Sequence, residues 1–91
     1  MEHELKTDAL VFDAVKRGEK TFEIRKADRP FEVGDLLILR KTVHTGQEMA
    51  EGMPLYYEGE PLRQRVSYIL RGPVYGLAEG WVIMSIEPAL A

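Results

Sequence analysis

The sequence predicts an α+β domain: a small closed or nearly closed β-barrel of about five to six strands, with one main helix beside a cleft. Three observations lead there. One stretch has helical spacing of apolar residues between a capping residue and a glycine. About five others read as strands, by alternation or as short apolar runs bounded by turn residues. The chain's 91 residues make one domain, 1–91, with a single modest core. In so small a sheet, closure removes the edges that would otherwise invite aggregation.

The elements follow in order. Residues 2–6 form a first strand, with His3 and Leu5 set against Glu4 and Lys6. Thr7 or Asp8 caps a helix running to Arg17, whose apolar face is Leu10, Val11, Ala14 and Val15. Lys16 and Arg17 suit the negative end of the helix dipole, and Gly18 stops it. A strand over 20–26 alternates Thr21, Glu23 and Arg25 with Phe22 and Ile24, placing a carboxylate and a guanidinium on one face. Asp28, Arg29 and Pro30 make a turn-rich connection, and Gly34-Asp35 is a second turn signal.

Leu36 to Leu39 is apolar without alternation, so this strand is expected to be covered on both faces and to extend through Val43. Residues 45–60 are polar and broken by glycines and Pro54, a long excursion with a brief strand at 55–57. From Leu62 to Leu70 the pattern puts Val66, Tyr68 and Leu70 on one side and Arg63, Arg65 and Ser67 on the other. Gly72-Pro73 ends that strand. A turn follows over 75–80, and Trp81 to Ile86 is a last, heavily buried strand.

Composition narrows the function classes. There is no cysteine, which removes disulfides and thiolate metal sites and points to a reducing compartment. No apolar run approaches the roughly 20 residues that span a bilayer, and the first residues lack a signal-peptide pattern. The expectation is a cytoplasmic, monomeric protein with no membrane partner. A net charge of -3 argues against indiscriminate nucleic-acid binding. The charge is segregated, however: residues 16–41 hold eight of the twelve Lys and Arg, whereas residues 42–60 hold four Glu and no Lys or Arg.

Motifs for standard active sites are missing. His3 and His44 lack metal-ligand spacing, and there is no phosphate-binding glycine loop, dinucleotide fingerprint or nucleophile elbow. No metal or cofactor is expected. Tyr56 and Tyr57 could stack on bases, although loop packing explains them as well, and Trp81 reads first as core. What stands out is the cluster Lys20, Thr21, Glu23, Arg25, Lys26, Asp28 and Arg29. A cross-strand ion pair would account for Glu23 and Arg25 alone. It does not account for so many basic groups beside a helix C-terminus and a barrel mouth. Lys20, Arg25 and Arg29 suit phosphate or carboxylate, with arginine offering paired donors.

Those residues also carry a resemblance. Gly18-x-Lys20-Thr21-Phe22-Glu23-Ile24-Arg25-Lys26-x-Asp28-Arg29, preceded by His3 to Lys6 and followed by Phe31-x-Val33-Gly34-Asp35-x-Leu37-Ile38-Leu39, resembles the ASCH domain family. It is most similar to a small bacterial and phage branch of unassigned function. Tyr68-Ile69-Leu70 and the stretch from Tyr75 to Ile86 fit the same branch; residues 42–60 do not. The resemblance implies a PUA-like fold and an RNA- or nucleotide-binding cleft. In that family the Gly-x-Lys-x-x-x-x-Arg segment lines the cleft, which transfers to Lys20 and Arg25. Glu23, Lys26 and Arg29 complete the expected set, with Lys6 and His3 of the first strand as second contributors.

One group of ASCH proteins removes the acetyl group of N4-acetylcytidine, using the lysine, a threonine three residues later and a later glutamate. Here Glu23 stands at the threonine position, Thr21 comes two residues too early, and the late glutamate has no counterpart. The alternative is therefore a small amidohydrolase acting on a modified nucleoside, in which Glu23 is a base and Lys20 stabilises the oxyanion. A third expectation is a protein-interaction module that uses the acidic 42–60 loop.

Overall fold

The computed structural model describes residues 1–89. Five strands, β1 (Glu2–Thr7), β2 (Phe22–Lys26), β3 (Leu36–Lys41), β4 (Leu62–Arg71) and β5 (Trp81–Pro88), form one sheet in the order β1-β3-β4-β5-β2. β1 runs parallel to β3, and the other neighbouring pairs are antiparallel. The parallel pair needs a crossover, supplied by helix α1 (Ala9–Lys16), β2 and the turns that follow it. The sheet curls into a half-barrel without closing. β1 and β2 are its edges, and among the described residues side chains bridge the gap between them: Arg25 Nη2 of β2 donates to Thr7 Oγ1 at 3.4 Å, and Arg29 Nη1, just beyond β2, donates to the Glu4 carbonyl at 2.9 Å.

The concave side of the sheet holds the core. Leu37 and Leu39 of β3, Val66 of β4 and Val82, Met84 and Ile86 of β5 meet Phe12 and Val15 of α1, with Phe31 closing one end. The inward face of α1 therefore differs from the expected one. Phe12 and Val15 are buried, whereas Leu10 is 86% exposed and Val11 also faces solvent. Helical spacing fits both choices, and the larger apolar area of phenylalanine decides between them.

The alternation expected in β2 is present, and the structure sets which face is inward. Glu23 and Arg25 point toward the interior, and Phe22 and Ile24 point outward, 44% and 47% exposed. In β4 the alternation expected over Val66, Tyr68 and Leu70 breaks at a bulge: Val66 faces Ile86 but Tyr68 faces Ser85. The extra residue turns Ile69 onto the core and leaves Tyr68 60% exposed.

Further differences lie in the excursion after β3. That strand ends at Lys41, and only a single bridge, Thr42 with Tyr57, stands where a brief strand was expected. A second helix, α2 (Gly46–Ala50), begins with a complete capping box: Thr45 Oγ1 accepts from the Glu48 N–H, and the Glu48 carboxylate accepts from the Thr45 N–H. Leu36 and Ile38, expected to be fully covered, are half-buried. No helix among the described residues is long and apolar enough to cross a membrane.

His3, expected as a second contributor to the cleft, is buried. Its Nε2 lies 2.8 Å from Asp35 Oδ2, and its ring meets the edge of Phe31 at 4.7 Å between centroids. Asp35 also accepts from the Glu32 N–H and the Met1 amino group. Burial pushes the Asp35 carboxyl up, but these donors together outweigh it and hold the group below its ordinary value. This knot ties β1 to the turn that starts β3.

Candidate functional site

The site begins with how α1 ends. Gly18 adopts φ +79°, and the chain closes in a Schellman motif: the Gly18 N–H bonds the Val15 carbonyl and the Glu19 N–H bonds that of Ala14. The Lys20 N–H joins the same Ala14 carbonyl at 3.1 Å. Lys20 is thereby fixed as the chain turns into β2. Its Nζ donates to the Phe22 carbonyl at 2.6 Å and to Glu23 Oε1 at 3.0 Å, and it lies 4.8 Å from the centre of the Phe22 ring.

Glu23 is the hub. Only 3% exposed, it takes Lys20 on one oxygen and Arg25 Nε on the other, each at 3.0 Å. Arg25 then reaches across the seam to Thr7. The inward orientation of Glu23 and Arg25 has its physical account here. A carboxylate flanked by two cations, both of which keep contact with water, can be buried without an uncompensated charge. Phe22 and Ile24 on an edge strand lose less by facing out. Among the described residues no buried side-chain nitrogen or oxygen lacks a partner.

Two hollows open along the seam and share Ile24 and Arg25. The first, about 360 Å³, is lined by Leu5, Ile24, Arg25, Lys26, Asp28, Arg29, Phe31 and Trp81. The second, about 380 Å³, is lined by Lys6, Asp8, Val11, Lys20, Glu23, Ile24, Arg25, Gly46 and Met49. All five expected cations, Lys6, Lys20, Arg25, Lys26 and Arg29, therefore border one seam, and Glu23 anchors two of them. His3 stays in its knot with Asp35 and lines neither hollow, although its ring packs on Phe31 of the first. Lys6 and Lys26 make no ion pair among the described residues.

Sequence reasoning missed the contribution of α2. Asp8 does not cap its own helix; its Oδ1 accepts from the Gly46 N–H at 3.0 Å and draws the start of α2 to the second hollow. The signal was present in Thr45-x-x-Glu48, a capping-box pattern inside a stretch read as loop. Trp81 borders the first hollow and is half-buried. Tyr57 is already covered by the Arg40 guanidinium, 4.1 Å from its ring centre, and Tyr56 is exposed.

Chemically, the arrangement presents cations. Both Glu23 oxygens are engaged and the carboxylate is buried, so it orients Lys20 and Arg25 and offers little surface to the hollow. A general base must reach its proton directly or through one water, and Glu23, 3% exposed beneath Lys20 and Arg25, presents little of its carboxylate for that. No group of three or more His, Asp or Glu with metal-binding geometry occurs among the described residues.

Comparison with known proteins gives a family without an assigned activity. Residues 2–86 match a family described as a domain of unknown function, DUF3850. A 41-residue stretch is 51% identical to the "Uncharacterized 12.9 kDa protein in GpA 3'region" of Escherichia phage P2. That similarity covers 45% of this chain and 38% of the phage protein.

Proposed function

Because the chain belongs to the DUF3850 family, a domain of unknown function, its role has to be read from its own site, and we propose an RNA- or nucleotide-binding module. The ligand lies along the seam between β1 and β2, and the fold is a PUA-like half-barrel of the ASCH kind. One observation carries the reading: a buried carboxylate fixes Lys20 and Arg25 from beneath, with Lys6, Lys26 and Arg29 along the same seam. Five cations face three acids there, on a molecule whose net charge is -3. Guanidinium and ammonium groups held in fixed positions suit phosphate oxygens. The hollows are of a size to take a nucleotide-sized group. The amidohydrolase alternative is less well supported, since Glu23 is buried under its two cations.

Fluorescence anisotropy with a short RNA oligonucleotide, titrated with salt, tests the proposal. Binding at low salt is expected, with log affinity falling linearly in log salt at about 0.7 per phosphate contact. Lys26→Ala with Arg29→Ala alters exposed residues and should weaken binding without unfolding the domain. Lys20→Ala with Arg25→Ala should weaken it further. No binding at low salt, or binding indifferent to both pairs of substitutions, overturns the proposal.

A further inference from the structure

With the polar residues of β2 turned inward, its outer side joins an uncovered apolar face. The strand register sets Phe22 beside Ser85 and Ser85 beside Tyr68, with Lys26 beside Trp81 one end along. Residues directly opposite in antiparallel strands share a face of the sheet. Phe22, Ile24 and Tyr68 therefore look outward together, and all three are exposed. Phe22 and Tyr68 stand two strands apart, about 10 Å, with only a serine between them.

Charge and continuity indicate what this face receives. Lys20 places its ammonium against the Phe22 ring, and Lys26 borders the same face. The nearby acid Glu87 sits opposite Arg65 across β4 and β5. Ile24, Lys26 and Trp81 also line the first seam hollow, so the face runs directly into the basic seam. Aromatic rings rimmed by cations match a polyanion that carries planar bases, and base–aromatic stacking is available to strands whose bases are unpaired.

We infer that the ligand is single-stranded RNA, with bases stacked on Phe22 and Tyr68 while its phosphates follow Lys20, Lys26 and Arg29 into the seam. This rests on the RNA-binding reading of the seam and specifies its substrate class. A duplex, whose bases are already stacked and paired, has nothing to give these rings.

Affinities for an oligouridylate RNA and for its duplex with oligoadenylate, measured on wild type, Phe22→Leu and Tyr68→Leu, test the inference. Leucine keeps the apolar cover and removes the aromatic face, together with the hydroxyl at Tyr68, so Phe22→Leu reads stacking alone. The single strand is expected to bind at least tenfold more tightly than the duplex. Each leucine variant should lose about tenfold for the single strand, with an unchanged salt slope. Equal affinity for the duplex, or single-strand binding unmoved in both variants, overturns the stacking inference and leaves seam binding intact. No binding of either RNA overturns both. Concentration-dependent dimerisation of wild type that is lost in Phe22→Leu and Tyr68→Leu would assign the face to a second copy of the chain and overturn the inference as well.

Discussion

Asp35 and Glu23 are the two buried acids among the described residues, and the fold uses them in opposite ways. The partners of Asp35 are buried His3, the Glu32 N–H and the Met1 amino group, and none of them lines the seam; together they pin β1 to the turn before β3. Glu23 is as deeply buried, yet its partners Lys20 and Arg25 border the seam. The first arrangement closes a structure. The second holds two cations at a surface in a geometry that long flexible side chains would not keep alone. Burial of an acid therefore does not distinguish scaffold from site; whether its partners border a hollow does.

The largest effect is expected from Asp35→Ala. It strips the acceptor from the buried His3 ring and from the Glu32 N–H, at a cost of about 3 kcal/mol. That is a large part of the stability of a domain this size. Urea denaturation should show the loss, while RNA affinity of the remaining folded protein at low temperature should be unchanged. Glu23→Ala should cost less, about 1–2 kcal/mol, because Lys20 and Arg25 can both turn to water. Its RNA affinity should nevertheless change by several-fold, since the two cations lose their fixed positions. If Asp35→Ala alters affinity as much as Glu23→Ala does, the contrast between the two acids fails.

Acid tests the Asp35 side of the contrast. The Asp35 carboxyl is held below its ordinary value in the folded state. Its contribution is thus complete above the unfolded pKa of about 3.9 and is lost as pH falls through the lower folded value. Exposed Glu19 and Glu48 are also held below their ordinary values, Glu19 by Arg17 and Glu48 by the Thr45 N–H. The comparison to make is therefore wild type against Asp35→Asn. The difference in urea midpoint between them should be constant from pH 7 to about pH 4 and should shrink below it. A difference independent of pH down to pH 3 would remove the charge of Asp35 from the account.

Much of the fold is legible in the chain, and the failures share a cause. Gly18 after Lys16-Arg17 marks the helix end, and the apolar runs at Leu36 and Trp81 mark strands, because caps and apolar runs are local signals. Alternation in β2 correctly separates Glu23 and Arg25 from Phe22 and Ile24. It cannot say which set faces inward, because that depends on Thr7 across the seam and on β2 being an edge. The same holds for Phe12 against Leu10 in α1. The bulge after Val66 is a property of pairing with β5, and its consequence for Tyr68 is invisible in β4 alone. Four of the five seam cations, Lys20, Arg25, Lys26 and Arg29, were legible as a cluster. The route by which Lys6 joins them, β1 lying at the far edge of the sheet, belongs to topology.

The smallest expected effect sharpens the comparison most, because it concerns a cation that neither acid holds. Lys26 is exposed and makes no ion pair among the described residues. Lys26→Ala should shift stability by less than about 0.5 kcal/mol and lower the salt slope of RNA binding by about 0.7. Arg25→Ala should lower the slope similarly but should also destabilise the fold, because it removes a partner of buried Glu23. If Lys26 and Arg25 prove equivalent in both measurements, the carboxylate beneath Arg25 does not organise the seam. If they differ in stability and agree in slope, Glu23 acts as a support and the phosphates read each cation independently.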